Sequence, residues 1–310
     1  MTIALFADRA ENWQRYRAPL ERAFAERGLE VDLVNDTDAP ETVDYIIYSP
    51  MGPVQDFAPF TNLKAVLSLW AGVERIEGNE TIKVPLCRMV DEGLTGGMVE
   101  WVSGHVLRHH LGMDVHICHQ DGVWRNGIVP PLARDRKVGF LGLGVLGAVC
   151  ARVLAGLGFD VAGWSRSAKD MEFPTFSGAA GLREILGRSE ILVLLLPDTA
   201  ATRNVLNNET LAVLPKGAVV INPGRGTLID DDALLAALDS GHLGHATLDV
   251  FRQEPLSPDH PFWAHPKVTV TPHIASETRP ESAARTIADN IARGEAGQPF
   301  VHVVDRKAGY

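Results

Sequence analysis

The chain has 310 residues, 45% of them hydrophobic, and a formal net charge of −10. That length suits two domains with sizeable cores, and the acidic balance argues against nucleic acid or an anionic membrane as partner. The longest apolar runs, such as "ILVLLLP" at 191–197, fall well short of the roughly 20 residues of a membrane span, and "MTIALFADRAENW" at the start has no signal-peptide pattern. Cys87, Cys118 and Cys150 are odd in number and widely spaced, so a disulfide framework is not expected and a reducing cytoplasm is.

Strand-like and helical patterns alternate along almost the whole chain. "TIALFAD" leads to the amphipathic "ENWQRYRAPLERAFAERG", then to the apolar runs "EVDLVN", "DYIIYS", "KAVLSLW" and "PLCRMV". Continuous apolar strands between helices predict a parallel sheet covered on both faces, in a first α/β unit that ends near residue 96. "GGMVEWVSGHVLRHHLGMDVHI" at 96–117 reads as one long helix, and the Gly-, Pro- and Arg-rich "DGVWRNGIVPPLARDR" as a loop. A second α/β series starts at "KVGFLGLG" and continues through "DVAGWS", "ILVLLLP", "AVVINP", "HATLDV" and "VTVTPH". The closing helix "RPESAARTIADNIARGEAG" belongs, on pattern alone, either to the second unit or back with the first.

Gly142, Gly144 and Gly147 form G-x-G-x-x-G between the strand "KVGFL" and the helix "VLGAVCARVLAGLG", with the strand "DVAGWS" next. In that βαβ context the motif reads as a dinucleotide site. Gly142 permits the tight turn, Gly144 lets the backbone approach a pyrophosphate, and Gly147 lets helix and strand pack closely. The helix N-terminus adds amides and partial positive charge. An acid that would bind the adenosine ribose of NAD is expected at the end of the second strand, where Ser165 stands, 23 residues after Gly142. Ser165 and Ser167 can donate hydrogen bonds and Arg166 offers a charge-assisted fork, so "GWSRS" predicts NADP(H) over NAD(H), with NAD(H) used less efficiently.

Three further residues stand at strand ends or just beyond, where ligands sit in open α/β sheets. Arg225 lies in "INPGRGTLIDDD", Glu254 in "LDVFRQEPL" and His273 in "VTVTPHIAS". Each alone is compatible with a structural role; together with a dinucleotide site they match a hydride-transfer apparatus.

These motifs, with "LLLPDTAATRNVLN", occur in the order found in the D-2-hydroxyacid dehydrogenases, which the chain resembles over nearly its full length. "GWSRS", "LLAALDSGHLGHATLDVF" and the C-terminal "VDRKAGY" resemble the bacterial glyoxylate/hydroxypyruvate reductases within that family. The resemblance implies two doubly wound parallel-sheet domains, with a Rossmann cofactor domain (97–279) inserted in a flavodoxin-like substrate domain (1–96 and 280–310). It implies NADPH-dependent reduction of short 2-oxoacids, glyoxylate to glycolate and hydroxypyruvate to glycerate. His273 would be the proton donor, Glu254 its hydrogen-bond partner, and Arg225 the group that binds the carboxylate and polarises the carbonyl.

The same resemblance assigns cofactor contacts to Gly142, Gly144, Val145, Leu146, Gly147, Ser165, Arg166 and Ser167. It adds Leu196, Pro197 and Thr202 on the adenosine and phosphate side, and Asp249 at the nicotinamide carboxamide. For Thr202 a helix cap is an equal alternative, and for Asp249 a loop carboxylate capping a neighbour. Backbone amides of Ala71, Gly72 and Val73 would hold the substrate carboxylate in an anion nest. Trp70 replaces a small residue usual there, and either narrows the pocket or packs. Tyr48 either walls the pocket or belongs to the core. Pro223 departs from the subgroup and removes an amide donor from the Arg225 loop.

A homodimer is expected, with the His-rich "RHHLGMDVHICHQ" at its interface rather than at a metal; no metal is expected. Asp230, Asp231 and Asp232 read as helix capping. Two other readings stay open: a dehydrogenase for a larger or phosphorylated 2-oxoacid, and a dinucleotide-sensing protein that has lost activity. A glutamine in place of Glu254 would have pointed to formate dehydrogenase.

Overall fold

The computed structural model describes residues 1–306 and 309. The chain separates into two compact units, Met1–Leu94 with Glu277–Tyr310, and Thr95–Ser276. Lys307, Ala308 and Tyr310, within the C-terminal "VDRKAGY", lie outside the described residues.

The first unit opens with β1 (Thr2–Ala7), α1 (Ala10–Glu26), β2 (Val31–Val34), β3 (Tyr45–Tyr48), β4 (Ala65–Ser68) and β5 (Leu86–Cys87). All five strands are parallel, in the order β2-β1-β3-β4-β5. That is the flavodoxin-like order, with its switch point between β1 and β3. The strands "YIIY" and "AVLS" are buried at every position, because helices or loops cover both faces. Helix α1 buries Tyr16, Pro19, Leu20, Ala23 and Phe24, one stripe at helical spacing.

The second unit continues with α2 (Glu92–His110), α3 (Met113–Ile117), β6 (Lys137–Leu141), α4 (Val145–Gly156), β7 (Asp160–Ser165) and β8 (Thr175–Ser177). Then come α5 (Gly178–Arg188), β9 (Ile191–Leu194), α6 (Asn208–Leu211), β10 (Ala218–Asn222), α7 (Asp231–Asp239), β11 (Leu243–Leu248) and β12 (Val268–Val270). Its seven strands are parallel in the order β12-β11-β10-β9-β6-β7-β8, a Rossmann sheet whose order reverses between β6 and β9. The final helix, α8 (Pro280–Glu295), packs on α1 in the first unit. It buries Ala283, Ala284, Ile287, Ala288 and Ile291, small or branched residues that share one core cluster with Tyr16 and Leu20.

The segment expected as one helix over 96–117 is two. Helix α2 ends at His110, and Gly112 takes a left-handed φ of 62° before α3 begins. Glycine adopts that conformation without a Cβ penalty, so the chain turns there. Strand β8, three residues long, carries too short a pattern to be read from sequence.

Candidate active site

The glycine turn lies where the second unit's sheet reverses order. Gly142 follows β6 with φ 107°, a conformation that L side chains rarely adopt, and a Cβ there would collide with the Leu195 carbonyl at the end of β9. A Cβ on Gly147 would collide with the Gly142 carbonyl, so helix α4 approaches the turn only because residue 147 has no side chain. At Gly144 a Cβ would meet nothing within 4 Å, and the residue is exposed. Two glycines therefore satisfy packing, while the third leaves open space beside the N-terminus of α4. Val145 is 43% exposed at the first position of that helix, and no acceptor among the described residues takes the Val145 or Leu146 amide. This is the donor set and clearance that a pyrophosphate requires.

Ser165 ends β7, next to β6 in the sheet. It is 8% exposed, and its hydroxyl donates to the Ser167 carbonyl at 2.6 Å. In this structure the hydroxyl donates within the turn that follows β7. Its role is to shape the tight turn on which Arg166 and Ser167 stand exposed. Leu196 is buried in the core beyond β9. Thr202 donates to the Pro197 carbonyl at 2.6 Å and accepts from the Thr199 amide at 2.9 Å, so it braces the loop that begins at Pro197.

Arg225, Glu254 and His273 follow three adjacent strands, β10, β11 and β12, at their carboxyl ends. The Asn222 side chain builds the first loop: its amide donates to the Arg225 carbonyl at 2.9 Å, and its oxygen accepts from the Gly224 amide at 3.1 Å. Gly226 sits so close to Phe251 and Arg252 that a Cβ would strike their backbone. Arg225 is half-buried, and its Nη1 donates to the Gly224 carbonyl at 2.7 Å.

His273 Nδ1 lies 2.7 Å from Glu254 Oε2, and Glu254 Oε1 accepts from the Phe251 amide at 2.9 Å. The hydrogen bond to Glu254 raises the His273 pKa above its ordinary value; burial opposes this, the charges of Glu254 and Asp249 add to it, and Arg225 subtracts. Burial disfavours the charge on Glu254, but hydrogen bonds from His273 and the Phe251 amide, with the charges of His273 and Arg225, outweigh it and lower its pKa. Both shifts favour the carboxylate and imidazolium forms of the pair, and the other ring nitrogen, Nε2, points away from Glu254's hydrogen bond. The His273 side chain is 51% exposed.

Asp249 shows the loop-capping contacts that were one of its two expected roles. It is 0% exposed, and its carboxylate accepts from Thr271 Oγ1 at 2.6 Å, the Ile274 amide at 2.9 Å and the Ala275 amide at 2.8 Å. Its own carbonyl accepts from the His273 amide at 2.8 Å. A carboxylate bonded in this way holds the loop that carries His273, at φ 55°. Asn222 and Thr271 are the residues that sequence reasoning passed over. The Asn-Pro-Gly turn signature before Arg225 was the available signal for the first.

In the first unit, Trp70 is 37% exposed with the Arg75 guanidinium 6.0 Å from its ring centroid, so it is no core residue. Tyr48 is one: it is 2% exposed and packs edge-on against Phe57, with ring centroids 5.4 Å apart, which removes it from the expected pocket wall. Ala71 and Gly72 are partly exposed and Val73 is buried. In the second unit His110 packs against Phe159 and His109 against His245, while His116, Cys118 and His119 are exposed. Asp230 caps α7 by accepting from the Ala233 amide at 3.0 Å.

Comparison with known proteins gives the family and the fold. Residues 105–275 match the D-isomer specific 2-hydroxyacid dehydrogenase, NAD binding domain family. A glyoxylate/hydroxypyruvate reductase A from Serratia proteamaculans is 41% identical over 278 residues, 86% of this chain and 88% of that protein. A D-isomer specific 2-hydroxyacid dehydrogenase from Xanthobacter autotrophicus, crystallised with NADPH and MES, superposes with a TM-score of 0.91 at 40% identity, covering 100% of this chain and 99% of that one. An NADPH-dependent glyoxylate/hydroxypyruvate reductase from Sinorhizobium meliloti, in complex with NADP and sulfate, gives 0.87 at 38% identity with 100% of both chains covered. The chain belongs to the D-isomer specific 2-hydroxyacid dehydrogenase family.

Proposed function

We propose that the protein is an NADPH-dependent reductase of short 2-oxoacids, with glyoxylate and hydroxypyruvate as its first candidates. The observation that carries the reading is the 2.7 Å His273–Glu254 pair beside Arg225, at the ends of three neighbouring strands of the sheet that also bears the glycine turn. The cofactor, when bound, supplies the hydride. The amides at the start of α4 would hold its pyrophosphate, and Arg166 and Ser167 the phosphate beside the adenosine sugar. Protonated His273 gives its Nε2 proton to the carbonyl oxygen as that oxygen gains charge, and Glu254 keeps the imidazole charged and oriented until then. Arg225 draws electron density from the carbonyl and holds the carboxylate. The successive amides of Ala71, Gly72 and Val73 form a nest of the kind that binds a carboxylate.

Following absorbance at 340 nm with each of two cofactors against a panel of 2-oxoacids tests this reading. Glyoxylate and hydroxypyruvate should be reduced with a higher kcat/KM for NADPH than for NADH; equal or better use of NADH sinks the cofactor assignment. A homodimer in a reducing cytoplasm completes the proposal. Its support is the apolar run Met113, Ile117, Val123, Trp124 and Val129, between 40% and 88% exposed on one segment. Light scattering should give twice the chain mass of 33.7 kDa.

A further inference from the structure

The first unit holds a cation that the roles above do not use. Arg88 directly follows β5, at the carboxyl edge of the parallel sheet. It is partly buried, and burial alone holds its guanidinium below the ordinary value, with no carboxylate to offset the cost. Among the described residues its side chain has no hydrogen-bond or ion-pair partner. His302 is a titratable neighbour, but burial and then the Arg88 charge push its imidazole below the usual range, so it offers no counter-charge. Taking a charge out of water without a partner is costly, and a ligand of opposite sign repays that cost.

The surroundings suit an anion. The Met89 amide donates to the Trp70 carbonyl at 2.9 Å, which extends the β4–β5 pairing past Leu67 and Cys87. Ser68 locks the same turn: its Oγ donates to the Trp70 carbonyl at 3.1 Å and accepts from the Trp70 amide at 3.0 Å. The next three amides, of Ala71, Gly72 and Val73, find no acceptor among the described residues. Cys87 and Met89 belong to the core cluster under α1 and α8, whereas Leu86 shares the opposite face with Val73 and Ile76. Strand alternation therefore puts Arg88 on the face of Leu86 and Val73.

We propose that Arg88 is the charged half of a carboxylate site in the first unit, completed by the amides of Ala71, Gly72 and Val73. The inference rests on the reading of the chain as a 2-oxoacid reductase and adds a specificity-determining residue to it. Successive amides form an anion nest, and a planar guanidinium on the same face of the sheet edge would add a bidentate donor for a carboxylate.

The test uses the full-length chain, wild type and Arg88→Gln, Arg88→Lys and Arg88→Met. In turnover with glyoxylate and saturating NADPH, Arg88→Gln should raise KM on the order of 10- to 100-fold, the loss of one charge-assisted hydrogen bond, with kcat changed far less. Arg88→Lys should recover part of the loss. A residue with only a structural role would lower Tm instead; removing an unpaired, partly buried charge should leave the Tm of Arg88→Met unchanged or raised. Oxalate, a dicarboxylate probe that needs no turnover, should raise the Tm of the wild type and shift that of Arg88→Gln much less. If the wild type reduces no 2-oxoacid but oxalate still discriminates the two, the carboxylate site stands and the reductase reading falls. Equal oxalate shifts in both proteins, or an unchanged KM in Arg88→Gln and Arg88→Met, overturn the proposal.

Discussion

A single histidine and a histidine pair beside strands β11 and β12 have proton affinities that move in opposite directions. His273, beyond the end of β12, is half-exposed, pairs with Glu254 and is raised. His109 on α2 and His245 on β11 stack with centroids 4.9 Å apart, each with Nε2 near a threonine hydroxyl, Thr247 at 2.8 Å and Thr269 at 2.9 Å. Burial drives His109 down to about 3, helped by His245 and Arg108; burial and then Arg108 drive His245 down to about 4, with Asp114 opposing in both. The two groups have the same side chain and the same sheet. A carboxylate at an open strand end makes an imidazole a proton store, whereas hydroxyls and a second imidazole under a helix leave it neutral and structural.

The largest effect that would break this contrast is at His273. His273→Ala should cost about 10² to 10⁴ in kcat for reduction, the usual contribution of a general acid; near-normal turnover would remove His273 from the chemistry. If the protonated form is the active one, as proposed, kcat/KM for reduction should hold at low pH and fall as pH rises through the raised His273 pKa, above the ordinary 6.5. In Glu254→Gln that limb should move to lower pH, since the variant loses the charge that favours the imidazolium. A limb that stays in place would mean that Glu254 does not set it.

Asp249 tests how the contrast is held in place. Asp249→Ala strands the Thr271 hydroxyl and the Ile274 and Ala275 amides, and should lower unfolding free energy by on the order of 3 kcal/mol in denaturant titrations. If instead NADPH affinity fell while stability was kept, a cofactor contact would be the better assignment.

The smallest effect is at the buried pair. His109 and His245 have native pKa values below their unfolded ones, so the unfolded chain takes up protons first. Stability should then fall as pH drops from about 6.5 toward 4, by at most about 1.4 kcal/mol per pH unit for each histidine. His109→Gln, which can still bond Thr247 but cannot charge, should flatten that slope. An unchanged slope would show that the pair carries no proton linkage.

The glycine turn, the α/β alternation and the positions of Arg225, Glu254 and His273 were legible in the linear chain. Each depends on local rules: backbone freedom at glycine, period-2 or 3.6 apolar patterns, and strand ends as ligand positions. The roles of Ser165 and Asp249 were not. Both are polar residues at the ends of strands, and whether such a group faces a ligand or its own loop depends on hydrogen bonds formed only after folding. The long helix read over 96–117 failed at Gly112 for a related reason: a lone glycine in a helical pattern permits a turn without requiring one, and the packing of His109 and His110 on separate neighbours accompanies the stop.

Family, sheet class and the chemical identity of the candidate reacting groups are thus written in residue type and spacing, since each uses atoms the residue always carries. Burial, proton affinity and partner choice came only with the tertiary structure. They depend on which groups, distant in sequence, share a low-dielectric space: Glu254 with His273, and Asp249 with the 271–275 loop.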